Sequence, residues 1–386
     1  MTDNNKTMLL SHEPLLNRQR AITATRLIIH TDTNDTSAYR VAAGELNALA
    51  DIWPGERTVI VSFGDQPPDS GILDWNVPHN AMIEIPSAAV ALADIQEIVG
   101  DLQRRGIPIC VGGYSRGGAL PPSFEFRFIF TRDGTPPPGQ VPGLLIATNV
   151  ADSEAFENCL RSGFDGAAGW FFLKNPITGK KLAPAHAQIV RLLNLVRNNA
   201  DIKQIESALK QDVALSFKLL RYINSAGFGL SCEIQSFKHA VTILGYQKLH
   251  RWLSLLLVTA SRDPAAPGLM QASIARGRMM ELAGQEFFNK SELDNLFITG
   301  AFSLLDVLLG APMDEVLEQM HLPEAISDAL LNREGVFAPF LELAIACEGS
   351  HAVRLSQQAD TLQLPPEAVN RAQLAALAFA DSLQFN

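Results

Sequence analysis

The sequence is poor in cysteine. Four cysteines occur in 386 residues, at Cys110, Cys159, Cys232 and Cys347, and no C-x-x-C pair is present. Disulfide frameworks and cysteine-based zinc sites use denser and more closely spaced cysteines. We therefore predict buried, unpaired cysteines in a reducing compartment.

Long apolar runs are also missing. The longest, WLSLLLVTA at 252–260, is far shorter than the ~20 residues that cross a bilayer. The first residues, MTDNNKTM, are polar and do not resemble a signal peptide. We expect a cytoplasmic protein that does not insert into a membrane.

Positive charge is in short supply. Lys and Arg number 31 against 41 Asp and Glu, so the formal net charge is −10. The densest basic positions are the pairs Arg104-Arg105 and Lys180-Lys181. Nucleic-acid binding depends on clustered Lys and Arg, so nucleic acid is not an expected partner. With 47% hydrophobic residues, the chain has enough apolar side chains for globular domains with packed cores.

The first part of the chain alternates between strand and helix patterns. Short runs rich in β-branched and aromatic residues predict strands at 21–30, 57–63, 81–85, 107–111, 124–130 and 143–147. Helical patterns lie between some of them, at 89–104 and at 152–162, where Asp152 can cap the helix. This alternation favours parallel pairing in an α/β domain.

From about Pro184 onward only helical patterns occur. Apolar periodicity and boundary residues predict helices at 187–199, 202–210, 213–223, 236–245, 247–260, 268–288, 292–309, 313–320, 323–332, 337–347 and 366–383. We therefore divide the chain into an α/β domain at 1–176, a linker at 177–185 and an all-α domain at 186–386.

One short motif resembles a hydrolase signature. Residues 113–117, GYSRG, fit the G-x-S-x-G turn that carries the nucleophilic serine of α/β-hydrolases. However, Pro121-Pro122 would interrupt the helix that must follow, and the next histidine, His186, belongs to the second domain. The same glycines lack the Lys-Ser/Thr of a phosphate-binding P-loop. The sequence around the motif therefore argues against Ser115 as a nucleophile.

The all-α part carries a recognisable signature. Residues 219–245, LLRYINSAGFGLSCEIQSFKHAVTILG, are similar to the signature of HDOD domains, and 297–331 resemble the second half of that module. HDOD domains are helical relatives of the HD phosphohydrolases that lack the metal ligands, and no histidine of this sequence is followed by aspartate. The resemblance covers nearly all of 186–350 and implies an HD-like helical fold without a metal site.

The first domain resembles an EAL domain, so that the whole chain is similar to the two-domain EAL–HDOD signalling proteins. HEPLL at 12–16 resembles the opening strand of an EAL domain, and GFDGAAGWFFLKNP at 163–176 resembles its closing segment. This resemblance implies a TIM-like barrel, which in active members hydrolyses cyclic di-GMP with two metal ions. The first domain is short, which leaves the completeness of the barrel open.

The catalytic positions of that family are mostly replaced. By the resemblance, ligand positions fall on residues without the required chemistry, namely Arg26, Ser62, Gly112, Gly113, Ala151 and Ala168. Arg26 stands for the first metal carboxylate, and Arg127 is the cation nearest to the position of the catalytic lysine. Glu84 is retained, and we expect it to pair with a neighbouring base such as Arg26. A two-metal site needs several convergent carboxylates, so we expect a degenerate domain without phosphodiesterase activity.

These observations predict a non-catalytic bacterial regulator that binds protein partners and is linked to cyclic di-GMP signalling, with no cofactor. One alternative is a sensor that binds cyclic di-GMP without turnover, and another is a hydrolase that uses Ser115. Candidate interaction residues are Asn224 and Ser225 in a turn, and the aromatic–cation cluster Tyr246, Arg251 and Trp252. The turn residues also suit helix capping, and the cluster also suits helix packing.

Overall fold

The chain folds as two compact units. The computed structural model describes residues 8–31, 38–115, 120–132, 136, 141–174, 184–210, 237–258, 266–349 and 351–383. The first unit comprises 1–175 together with 345–378, and the second comprises 176–344 together with 379–386. The helical patterns predict an all-α domain over 186–386, whereas in the structure the segment 345–378 packs with the first unit.

The first unit is built on a closed barrel. Its strands are β1 (Leu9–Asn17), β2 (Ile22–His30), β3 (Thr58–Ser62), β4 (Ala81–Pro86), β5 (Ile109–Tyr114), β6 (Phe126–Thr131), β7 (Leu144–Ala147) and β8 (Gly166–Ala168). β1 runs antiparallel to both β2 and β8, and the remaining neighbours are parallel. The predicted barrel fold is confirmed, and its ring of strands is complete.

The strands close around an apolar interior. Leu15, Ala24, Ile60, Cys110, Phe130, Ile146 and Ala168 form this buried core, with Met82 and Phe128 packed against it. The six strands predicted from composition correspond to β2–β7. β1 and β8 were indicated only by the family resemblance, because the three-residue strand GAA carries no β pattern of its own.

The helices of the chain are α1 (Ala38–Ala48), α2 (Ala93–Arg104), α3 (Ser153–Arg161), α4 (Pro184–Arg197), α5 (Ile202–Lys210), α6 (Phe237–Val258), α7 (Ala266–Ala283), α8 (Lys290–Phe302), α9 (Leu305–Leu309), α10 (Met313–Glu318), α11 (Glu324–Leu331), α12 (Ala338–Ala346), α13 (Ala352–Thr361) and α14 (Pro366–Ser382). Among the described residues, no helix has the combined length and hydropathy of a membrane span. As predicted, Asp152 caps α3 by accepting a hydrogen bond from the Ala155 amide at 2.8 Å.

The segment 345–378 joins the first unit because it covers part of β1. β8 pairs with β1 only over Leu15–Asn17. Beyond that pairing, the His12 amide donates to the Cys347 carbonyl at 2.8 Å, and the Gly349 amide donates to the His12 carbonyl at 3.1 Å. On α14, the Asn370 side chain accepts from the Leu10 amide and donates to the Met8 carbonyl. The segment therefore satisfies backbone groups of a barrel strand that β8 does not reach.

The described part of the second unit is helical, as predicted. The predicted helix end at Gly245 is confirmed, because its backbone is non-helical, with a φ of 73°, and separates two helical parts of α6. The single helix predicted at 292–309 is divided into α8 and α9 at residues 303–304. In the first unit, the helix α13 was not predicted, because its Gln, Asp and Arg residues weaken the apolar pattern.

Two glycines bring α7 and α8 into backbone contact. A Cβ atom added at Gly300 would lie 2.6 Å from the Cα and the nitrogen of Gly277. A Cβ at Gly277 would lie 2.6 Å from the Phe297 carbonyl oxygen. The close packing of these helices therefore requires glycine at both positions.

Candidate functional site

Arg26, Glu84, Gly112 and Gly113 line one mouth of the barrel. β2–β8 are parallel, so their carboxyl ends open on the same side, which is where TIM-type barrels carry their active sites. A cleft of about 580 Å³ lies there, lined among others by Arg26, Glu84, Gly112 and Arg132. Ala352, from the segment that follows α12, also lines the cleft.

Arg26 occupies the centre of this site. Its Nε and Nη2 donate to the two carboxylate oxygens of Glu84 at 2.5 and 2.6 Å. Its Nη1 donates to Glu13 Oε1 at 2.6 Å, and Nη2 also lies 3.2 Å from Ser62 Oγ. The predicted pairing of Glu84 with Arg26 is therefore present, and it has the bidentate geometry of strong ion pairs.

The ion pairs are largely removed from solvent. The side chains of Arg26, Glu13 and Glu84 are 14%, 15% and 2% exposed. Burial by itself would lower the pKa of Arg26, but the charges and hydrogen bonds of Glu84 and then Glu13 outweigh it and raise that pKa. The guanidinium therefore stays protonated, and it also lies over the Phe130 ring at 5.1 Å.

Gly112 gives Glu84 the space for this arrangement. A Cβ atom at position 112 would overlap Glu84 Oε1 and would lie 2.9 Å from Glu84 Cδ. The neighbouring Gly113 has a φ of 64°, a left-handed conformation that glycine adopts without strain. The two glycines therefore permit both the Arg26–Glu84 pair and the local backbone turn.

The other positions that the EAL resemblance assigns to catalysis, Ala151, Ala168 and Arg127, contribute no acidic side chain. Ala168 lies in the barrel core, and Ala151 is exposed after β7. Arg127 is exposed on β6, and its neighbour Phe128 packs against the core. Within the described part of the chain, no group of three or more His, Cys, Asp or Glu side chains is placed to hold a metal ion.

One residue of the site was missed by the sequence reasoning. Glu13 belongs to the HEPLL segment and lies directly opposite Arg26 in the antiparallel β1–β2 register. Opposite charges at facing positions of two strands are a usable signal, but only once the pairing register is known. The EAL resemblance indicates that HEPLL is an opening strand, but it does not define the register of that strand.

The rim of the cleft carries further polar groups. Arg132 forms an ion pair with Asp65, and both side chains are more than half exposed. Ser11 Oγ lies 2.8 Å from His30 Nε2, and burial lowers the pKa of His30. Ser115 is exposed just after β5, and the residues 116–119 of its motif lie outside the described chain.

Two of the predicted interaction residues of the helical unit, Tyr246 and Arg251, make internal contacts. Arg251 makes a bidentate pair with Glu281 at 2.6 and 2.7 Å, contacts Asp294 at 3.2 Å and lies over the Phe297 ring. Tyr246 donates its hydroxyl to the Ala200 carbonyl at 2.8 Å.

The remaining candidates cannot be placed in the same way. The side chain of Trp252 is outside the described part, and so are Asn224 and Ser225. Arg251 was predicted either as part of an interaction cluster or as a packing residue of its helix, and its pairs with Glu281 and Asp294 on two neighbouring helices favour the packing role.

The fold and the site define a protein with a closed barrel followed by a helical domain. Residues 182–301 match the family model of the HDOD domain, which confirms the predicted HDOD resemblance over that range. The chain is also similar to the FimX EAL domain from Pseudomonas aeruginosa bound to c-di-GMP. That similarity has a TM-score of 0.32 and 14% identity, and it covers 44% of this chain and 90% of that chain.

Two sequence relatives extend these findings. The cyclic di-GMP phosphodiesterase CdgJ of Vibrio cholerae is 30% identical over 201 residues, or 52% of this chain and 46% of that protein. The uncharacterized protein YuxH of Bacillus subtilis is 25% identical over 248 residues, or 62% of this chain and 59% of that protein. This chain thus spans about half the length of the relatives that it matches.

Proposed function

We propose that this chain is a non-catalytic regulator in cyclic di-GMP signalling, whose barrel and HDOD domain bind other proteins. The observation that carries this proposal is the position of the Arg26 guanidinium, which is bound to both Glu84 and Glu13. These two carboxylates are thereby held by an internal cation in the cleft where the family resemblance implies metal ions.

Electrostatics supports the absence of phosphodiesterase activity. Two-metal hydrolysis requires carboxylates that converge on both ions and balance their charge. A divalent ion at Glu84 would have to displace Arg26, whose two hydrogen bonds to that carboxylate are 2.5 and 2.6 Å long. Gly112 supplies no second carboxylate, and a side chain there would collide with Glu84.

The activity assay is direct. The purified chain is incubated with cyclic di-GMP and Mg²⁺ or Mn²⁺, and linear products are separated by chromatography, with an active EAL phosphodiesterase as the positive control. We expect no turnover above the metal-only blank. Metal-dependent hydrolysis that is lost in Glu84→Gln would contradict the proposal, because it would make Glu84 a working ligand.

The protein-binding part needs a separate test. The tagged chain is crosslinked in native cells, and partners are identified by mass spectrometry and then purified for binding measurements. We expect at least one partner that binds the purified chain saturably in the absence of cyclic di-GMP. Failure to recover any partner that also binds in purified form would count against an interaction platform.

One observation favours binding of cyclic di-GMP without turnover as a second candidate. The mouth cleft stays open, at about 580 Å³, and the exposed Arg132 at its rim could contact a phosphate. Isothermal titration calorimetry separates the two candidates. A dissociation constant for cyclic di-GMP well below about 1 mM, together with a higher constant in Arg132→Gln, would support the sensor. A dissociation constant above about 1 mM would support the protein regulator.

A further inference from the structure

The helical unit contains a second cavity, of about 270 Å³, between α4, α6 and α8. Val196 and Ile298 are the aliphatic residues of its wall, and the other lining residues are polar, among them Arg197, Asn199, His250 and Asn295. A cavity with this lining is suited to a polar ligand, because dry cavities in protein cores are lined by apolar groups.

His250 is an unsatisfied polar group in this wall. The residue is 7% exposed, and its Nε2 has no hydrogen-bond partner among the described residues. Burial, and then the nearby charge of Arg197, lower the pKa of His250 to about 4. The imidazole is therefore neutral near pH 7 and has one N–H group to donate. A buried polar atom without a partner is costly, and a bound ligand would remove that cost.

Arg197 is the cation of the cavity. It is partly buried at the end of α4, and no carboxylate in the described part of the chain pairs with it. Burial lowers the pKa of Arg197, and no opposing effect of a carboxylate accompanies it. A guanidinium in this situation attracts an anion, since its planar donors match the oxygens of a carboxylate or phosphate.

Asp294, the acidic residue among those that line the cavity, is not the counter-ion of Arg197. Asp294 contacts Arg251 at 3.2 Å, and burial raises the pKa of Asp294. Tyr246, which also lines the cavity, donates its hydroxyl to the Ala200 carbonyl. Arg197 therefore remains the charged group of the wall without a described counter-ion.

We propose that this cavity binds a small oxyanion, a phosphate or carboxylate group, with Arg197 as its counter-ion and His250 and Asn295 as hydrogen-bond donors. The site is built by the HDOD region and uses none of the residues at the barrel mouth. It would allow a small anionic metabolite to stabilise the helical unit independently of events at the barrel.

The site can be tested on the full chain by NMR of the histidine Cε1–H groups. Inorganic phosphate and acetate are titrated in separate experiments to about 50 mM at constant ionic strength, and the His250 signal is assigned by its loss in His250→Gln. We expect a saturable shift of that signal, with a higher pKa of His250 in the bound state because the anion offsets the charge of Arg197. Tighter binding of phosphate identifies a phosphate site, and tighter binding of acetate identifies a carboxylate site.

Matched variants distinguish this site from general anion effects. Arg197→Gln should raise the half-saturation concentration about 10-fold or more, because it removes charge-assisted hydrogen bonds. Lys203→Gln removes an exposed positive charge from the same unit, and it should leave the half-saturation concentration unchanged. Absence of a saturable shift with both anions, or equal half-saturation in wild type and Arg197→Gln, would overturn the proposal.

Discussion

Glu84 and Gly112 share one small volume in the barrel mouth: the carboxylate of Glu84 occupies the space that any side chain at position 112 would need. Glu84 reaches this place because Arg26 holds both of its oxygens. The glycine on β5 and the cation on β2 are therefore coupled through Glu84. Gly112 leaves the space for its carboxylate, and Arg26 holds the carboxylate there in an internal ion pair.

The Gly112→Ala variant tests this coupling. The added Cβ overlaps Glu84, which cannot move aside without breaking its bidentate pair, so we expect a loss of about 2 kcal/mol in the free energy of unfolding. Urea denaturation measures the loss. Gly100→Ala in α2 is the matched control, because a Cβ there meets no atom within 4 Å, and we expect it to be neutral or slightly stabilising. Equal stability of both variants and the wild type would refute the coupling.

Arg26→Met removes the internal cation. Glu84, whose side chain is 2% exposed, would remain as a buried charge without a partner, and such changes cost about 3–5 kcal/mol. The double variant Arg26→Met with Glu84→Gln should recover part of this loss, which a double-mutant cycle in urea quantifies. Arg40→Met breaks the exposed Arg40–Asp74 pair and should cost about 1 kcal/mol or less. A cost no larger than that of the exposed pair would show that Arg26 is not a structural centre.

Asn370→Leu tests the attachment of α14 to the barrel. This change leaves the Leu10 amide and the Met8 carbonyl without their partner, at a cost of about 2–3 kcal/mol. The measurement is the urea-unfolding transition of the full chain, followed by hydrogen exchange of β1 amides. Gln357→Ala, on the exposed face of α13, should change neither. Unchanged protection of the Leu10 amide in Asn370→Leu would be inconsistent with the observed contacts.

Gly300→Ala tests the close approach of α7 and α8. The new Cβ would press on the backbone of Gly277, which cannot rotate away as a side chain can, so the helices must separate. We expect a loss of about 2–3 kcal/mol in the stability of the helical unit, measured by thermal and urea denaturation. Gly44→Ala in α1, where a Cβ meets no atom within 4 Å, is the control. A Gly300→Ala protein as stable as this control would mean that the helices do not pack this closely.

The lowered pKa of the buried His250 should make the free energy of unfolding depend on pH. Burial and the charge of Arg197 lower its pKa from 6.5 to about 4, so between these values the unfolded chain binds more protons than the folded chain. Stability contributed by neutral His250 is therefore lost as pH falls from about 6.5 to about 4. His250→Gln should reduce the slope of unfolding free energy against pH in this range. An unchanged slope in His250→Gln would disprove the assignment.

Much of the architecture followed from local patterns. β2–β7 are short runs of β-branched and aromatic residues, most of them bounded by Gly, Pro or Asp, and Asp152 caps the start of α3. The presence of an arginine at position 26 and of a glycine at position 112 is also a property of the sequence alone. These features were predictable because backbone propensity, capping and residue chemistry act within a few positions.

The sequence by itself determined which side chains are present in the barrel mouth, and the tertiary structure decided what they do there. Glu13 meets Arg26 only in the β1–β2 register, Glu84 is confined by Gly112 on a neighbouring strand, and Asn370 binds Leu10 from 360 residues away. The same holds for Arg251, which forms ion pairs with acidic side chains of α7 and α8. Such contacts join residues that no local periodicity relates, because only the closure of the barrel and the packing of helices bring them within hydrogen-bonding distance.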